Sequence, residues 1–158
     1  MASPWSASSA RSPRRRGGPR GHDEHEGWTH QALHAAERAG RLAKAEQFLR
    51  AAELVDVYAD EGDDLADSYT TLCVHAGIAA ADAICCARLG EMARGDDHRS
   101  AVELVGKVDK ALANDLGTLL GMKTRAGYDH TPISGTDRKR AGRLAARLIA
   151  EARRIAGA

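Results

Sequence analysis

Apolar residues recur at three- and four-residue steps through most of this chain, the period of helices that bury one face. Ala45, Phe48, Leu49, Ala52, Val55 and Tyr58 form the first such stripe. It predicts a helix from about Trp28 to Asp60, weakened at Gly40 and stopped by Glu61-Gly62. Asp63 or Asp64 stands where a cap for a second helix is needed, and Gly90, just past Leu89, suits a left-handed terminator. The inward face of that helix reads Leu65, Tyr69, Leu72, Cys73, Ala76, Ala80, Ala83, Ile84 and Ala87. Its segment Ala76-Gly77-Ile78-Ala79-Ala80-Ala81 lacks bulk on most sides, which marks it as the centre of a bundle. A third helix is expected from Asp96 or Asp97, with Ser100 and Glu103 in capping-box spacing. Val102, Val105, Val108, Leu112, Leu116, Leu119 and Leu120 follow at helical steps, and Gly106, Gly117 and Gly121 predict a break or kink, so that one or two helices fill the stretch. Gly127 to Ser134, with Pro132, reads as a loop. Ser134 to Asp137 caps a last helix whose stripe is Ala141, Leu144, Ala145, Leu148, Ile149, Ala152 and Ile155. No internal repeat and no strand pattern of useful length occurs. The expectation is an all-α, up-and-down bundle of four to five helices.

Composition changes this picture mainly at the N-terminus. Residues 1–27 are rich in Ser, Pro, Gly and Arg and have almost nothing to bury, so they read as a disordered basic tail, with residues 28–158 as the folded domain. Residues 1–21 contain Arg11, Arg14, Arg15, Arg16 and Arg20 and no acid, hence +5; with a chain total of +1, the remainder carries 1 − 5 = −4. A mildly acidic body gives no support for a large nucleic-acid footprint across the whole fold. Aromatic residues are only 4% of the chain, which suits close helix packing and fits a β-sandwich poorly. The three cysteines, Cys73, Cys85 and Cys86, form no CxxC pair and fall in an apolar helical pattern. They read as buried reduced thiols. Approaching the roughly 20 apolar residues of a membrane span is not expected of any stretch, and the N-terminal arginines precede no apolar secretory core, so the expected location is the cytoplasm.

Candidate chemistry falls in four places. His22, His25, His30 and His34 cluster among Asp23, Glu24 and Glu26, and His30 and His34 share a helix face at metal-ligand spacing. Without an HExxH pattern the cluster reads as a polar helix start, and neither a metal nor a cofactor is expected. His75, in the small-residue stretch of the second helix, reads as a core or interface histidine or as a functional one. Arg94-Gly95-Asp96-Asp97-His98-Arg99 opens a helix, where an anion is favoured although the aspartates oppose it; a polar cap is the alternative. Met122-Lys123-Thr124-Arg125-Ala126-Gly127-Tyr128-Asp129-His130 brings two cations, a phenol and a histidine into nine residues at a helix end. Cleaving RNA beside a 2′-hydroxyl needs a proton carrier and a cation for the crowded phosphate, and such residues supply both; a solvated helix end is the other reading. No Gly-rich phosphate loop, nucleophile elbow or helix-turn-helix is present.

The order of these landmarks resembles the HEPN superfamily, the helical bundles named for nucleotide binding in higher eukaryotes and prokaryotes. The likeness spans about residues 41–156. It is carried by Ala45-Glu46-Gln47-Phe48-Leu49-Arg50-Ala51-Ala52, by His75-Ala76-Gly77-Ile78-Ala79-Ala80 ending at Leu89-Gly90, by His98, and by Leu119-Leu120, Lys123, Ala126 and Tyr128 before the Pro132 loop. The resemblance implies a mostly antiparallel bundle that pairs as a homodimer. It implies a metal-independent endoribonuclease of toxin-antitoxin or defence type, held by a nucleotidyltransferase-like antitoxin. The family signature, an Arg, four to six residues and a His, is matched by Arg125 and His130 as catalytic pair. Lys123, Tyr128, His98, Arg99 and His75 are then expected to contact RNA or a nucleotide. Ala126 stands where the family has a polar residue, and a second register sets Lys123 and Tyr128 in the signature positions. The alternative is therefore a catalytically inactive HEPN-like module that binds nucleotide, RNA or a protein partner.

Overall fold

A computed structural model describes residues 23–59, 64–93 and 98–156, with side chains from His34 onward. Among the described residues there are five helices and no strand: α1 (Asp23–Tyr58), α2 (Ala66–Leu89), α3 (His98–Val108), α4 (Lys110–Tyr128) and α5 (Gly135–Ala156). The all-α bundle expected from periodicity is the observed architecture. The first helix begins a turn before Trp28, within the segment read as tail.

The bundle is built round α2. A helix that is apolar on every side has to be enclosed, and α2 is buried from Ala66 to Cys86 on nearly every turn. It touches all four other helices. By length and composition α2 is apolar enough to cross a membrane, which corrects the expectation that no stretch approaches a span. Its apolar surface is covered here for the most part by the other helices. The apolar stripe of α5 is likewise buried in full, from Ala141 to Ile155.

Side-chain pairings give the helix directions. Phe48 meets His75 and Arg41 meets Asp82, so α1 runs antiparallel to α2. Gly142 lies against Tyr69 and Gly77 against Leu148, so α5 runs parallel to α2. Asp115 with Arg147 and Arg125 with Asp137 set α4 antiparallel to α5. The short α3 folds back on α4, with His98 beside Lys123 and Gly106 beside Ala113.

Local signals end the helices where their chemistry requires. Gly90 closes α2 at φ 68°, ψ 15°, and its N–H donates to the Cys86 carbonyl. Ser134 Oγ accepts from Asp137 N at 3.1 Å, the cap foreseen for α5. Two expectations need correction. The break between α3 and α4 is at none of the three glycines; it is at Asp109, in extended backbone, whose carboxylate accepts from Ala111 N and Leu112 N. A capping side chain starts a new helix more decisively than a glycine weakens an old one. Ser100 already lies inside α3, so it does not cap it. At α2, Asp64 Oδ1 reaches Ala66 N at 3.4 Å, while the N-cap position is Leu65; Asp63, Asp96 and Asp97 lie outside the described residues.

The small-residue segment of α2 permits close approach, though to side chains rather than to a backbone. A Cβ added at Gly77 would lie 2.5 Å from Leu119 Cδ1 and 3.4 Å from Leu148 Cδ1, and both leucines are fully buried. Gly77→Ala is therefore expected to lower stability by a net ~1 kcal/mol, overpacking outweighing the better helix propensity of Ala. Gly121→Ala in α4 meets open space and is expected to raise stability by ~0.5–1 kcal/mol. Urea unfolding of both variants checks this; shifts of the same sign would refute the close approach at Gly77.

Candidate functional site

The end of α4 carries most of the residues singled out from sequence, but the helix distributes them. Lys123 and Arg125 are two residues apart, about 200° round the axis. Lys123 turns toward α3, where its ammonium lies 3.0 Å from Nε2 of His98. Arg125 turns toward α5 and pairs with Asp137. Tyr128, one turn after Arg125, is 85% exposed. His130 follows in the loop with its side chain 97% exposed and Nδ1 3.2 Å from the Asp129 carboxylate. Asp129 also accepts from Thr131 N at 3.0 Å, which stiffens the turn.

The expected constellation is thus two sets. His98 and Lys123 meet on the α3 side, with Arg99 exposed on α3 beside His98. Arg125 faces α5, while Tyr128 and His130 stand exposed at the end of α4 and in the loop that leads to α5. His75 belongs to neither. It is exposed and stacks on Phe48 of α1, ring centroids 5.2 Å apart, so of the readings offered for it the core one is corrected. Arg94 lies outside the described residues.

On the α5 side the arginines continue. This helix carries seven cations against Asp137 and Glu151. Four are engaged: Arg138 with Asp56, Arg147 with Asp115 at 2.9 Å, Arg153 with Glu46 at 2.6 Å, and Arg154 with Glu151. Lys139, Arg140 and Arg143 are exposed, and none has a carboxylate in ion-pair reach among the described residues. Arg140 lies one turn beyond Asp137, the partner of Arg125, and Arg143 one turn beyond that, a helical spacing that sets the three arginines in line. That the row continues from Arg125 depends on the α4–α5 register.

A second group lies at the opposite end of α2. Cys86 Sγ, Glu37 and His34 bring their ligand atoms within 4.8 Å of one another. His34 Nδ1 is 3.7 Å from Glu37 Oε2, and Cys86 Sγ donates to the His34 carbonyl at 3.4 Å. They open on a cleft of about 480 Å³ also walled by Gly90, Glu91, Met92 and Ala93. The histidine cluster was legible; its cysteine, 52 residues away, was not. The side chains of His22, His25 and His30 lie outside the described residues.

Burial governs the remaining ionisable groups of the core. It pushes the Cys73 thiol to about 11 and the Cys85 thiol to about 12, and raises Cys86. The first two thiols are therefore protonated near neutrality, as buried reduced cysteines should be. The Tyr69 phenol is pushed up to about 12, mainly by desolvation, with the Arg138 guanidinium over its ring acting the other way.

Asp82, 7% exposed within α2, is raised by desolvation, which Arg41 at 3.3 Å opposes. The native state keeps this proton to higher pH than the unfolded chain. Stability therefore falls as pH rises from the ordinary carboxylate range through the raised native value. Asp82→Asn is expected to be more stable than the wild type at neutral pH, the difference shrinking as pH approaches the unfolded carboxylate value of ~3.9. Urea unfolding of both proteins across this range checks it; a difference that widens on acidification would contradict it. No protein-family model matches the chain, and no curated protein matches it.

Proposed function

We propose that this protein is a HEPN-like RNA-binding module that holds single-stranded RNA along the α4–α5 edge without cutting it. The observation that carries the reading is the cationic row Arg125, Arg140 and Arg143 ending at the exposed ring of Tyr128. Arginines along a helix track a phosphate backbone, and an exposed phenol at the end of the row offers a face for a base to stack on. The row is local, so an acidic body does not oppose it. Asp137 holds the Arg125 guanidinium in place, at the cost of part of its charge.

The same features argue against cleavage by a single chain. Catalysis requires an acid or base held within hydrogen-bond reach of the reacting atoms. His130 is held by nothing beyond Asp129 among the described residues, and Arg125 is already engaged. The ribonuclease reading would need a second copy to bring two Arg125/His130 pairs to one cleft. The small-residue face of α2, which would suit close approach of a second copy, is covered within the chain; the end of α4 is exposed.

Fluorescence anisotropy with a labelled single-stranded RNA tests the proposal. Arg140→Ala with Arg143→Ala should reduce the dependence of log K on log salt by about 1.4, roughly 0.7 for each lost phosphate contact. Tyr128→Ala should cost ~1–3 kcal/mol of binding, and Lys44→Ala on α1 should cost nothing. Equal binding by all variants would sink the reading. RNA cleavage in EDTA that is lost in His130→Ala would replace it with the ribonuclease.

A further inference from the structure

We infer that His34, Glu37 and Cys86 form a binding site for a divalent transition metal of the zinc class, with its open coordination position facing the cleft. The donors are one imidazole nitrogen, one carboxylate oxygen and one sulfur, a set that suits Zn²⁺ and excludes Mg²⁺ and Ca²⁺, which take oxygen ligands. His34 and Glu37 are three apart on α1, so one helical turn presents both on one face. Cys86, in the last turn of α2, meets them from the antiparallel neighbour.

The distances fit with little movement. Bonds of ~2.0–2.3 Å in a tetrahedral site put neighbouring donors about 3.5 Å apart. His34 Nδ1 and Glu37 Oε2 are already 3.7 Å apart, and the whole set lies within 4.8 Å. Rotamer adjustments below ~1 Å would close the set round an ion. The fourth position falls on the side of the cleft walled by Gly90, Glu91, Met92 and Ala93. Three protein ligands and one open position is the pattern of sites that keep a water or take a small ligand, rather than of closed structural sites. On binding, the Cys86 S–H bond gives way to an S–metal bond and the proton passes to solvent.

This site is independent of the RNA reading, since it lies at the other end of α2 from the Tyr128 loop. The pairing of His34 with Cys86 also ties the first half of α1 to the end of α2, so an ion there would fasten the two helices together.

The test uses the full chain, stripped of metal and kept in a thiol-free reductant, and titrated with Co²⁺ as a spectroscopic substitute for Zn²⁺. The wild type should bind one ion with a near-ultraviolet thiolate-to-cobalt charge-transfer band, which Zn²⁺ then abolishes. Cys86→Ser should lose the band, and Cys85→Ala should keep it. His34→Ala should weaken binding by more than ~100-fold, beyond the 10–100-fold typical of groups that only support a ligand. His34 is half-buried on α1, so this variant tests the site even where Cys86→Ser does not fold. Absence of the band in the wild type would overturn the inference. So would unchanged affinity in both Cys86→Ser and His34→Ala, which would place any bound ion elsewhere.

Discussion

Leu119 of α4 sits over Gly77 of α2 with no room for a methyl group between them, and Leu148 of α5 closes the same spot from the other side. This contact is possible only because α2 is built from Ala, Gly and Cys where its neighbours cross it. Small residues bring helix axes close, and the bulk that fills the core then has to come from the surrounding helices. Leu116, Leu119, Leu148 and Ile149 supply it and are fully buried. The remaining geometry follows from that choice. With α2 enclosed, α4 and α5 are held side by side, and that fixes which polar residues lie along their shared edge.

The edge matters because it decides what a motif becomes. Arg125 and His130 have the spacing of a catalytic pair, yet they are presented differently. The first is caught by Asp137, which the α4–α5 register brings to it. The second stands in solvent beyond the last turn of α4. Lys123, two residues from Arg125, is rotated to the far side and meets His98 instead. The proposed binding role rests on this difference: a row of arginines with an exposed ring at its end suits an extended strand, whereas cleavage needs groups converging on one atom.

Much of the fold was legible because α5 is amphipathic and the second half of α1 carries a stripe from Ala45 to Val55, and a one-sided stripe identifies its buried face. Gly90 and Ser134 were legible because their conformational and capping roles are local. The orientation of His75 was not. On a helix buried nearly all round, periodicity no longer separates inside from outside, so a single exposed position cannot be recognised from its neighbours. The α3–α4 break was misplaced for a related reason: three glycines were the more visible signal, while one Asp109 carboxylate that satisfies two backbone N–H groups was the stronger one. The Arg125–Asp137 pair and the His34–Glu37–Cys86 group depend on which helices touch and at what level. Neither is written in local pattern.

If α2 is the element on which the others depend, its amides should be the last to open. Native-state hydrogen exchange measures this directly. The amides of Cys73 to Ile84 are expected to exchange only through global unfolding, with a free energy equal to that from urea denaturation. Those of α3 and of the first turns of α1 should exchange by smaller openings. Exchange from the middle of α2 that is as fast as from α3 would contradict the account.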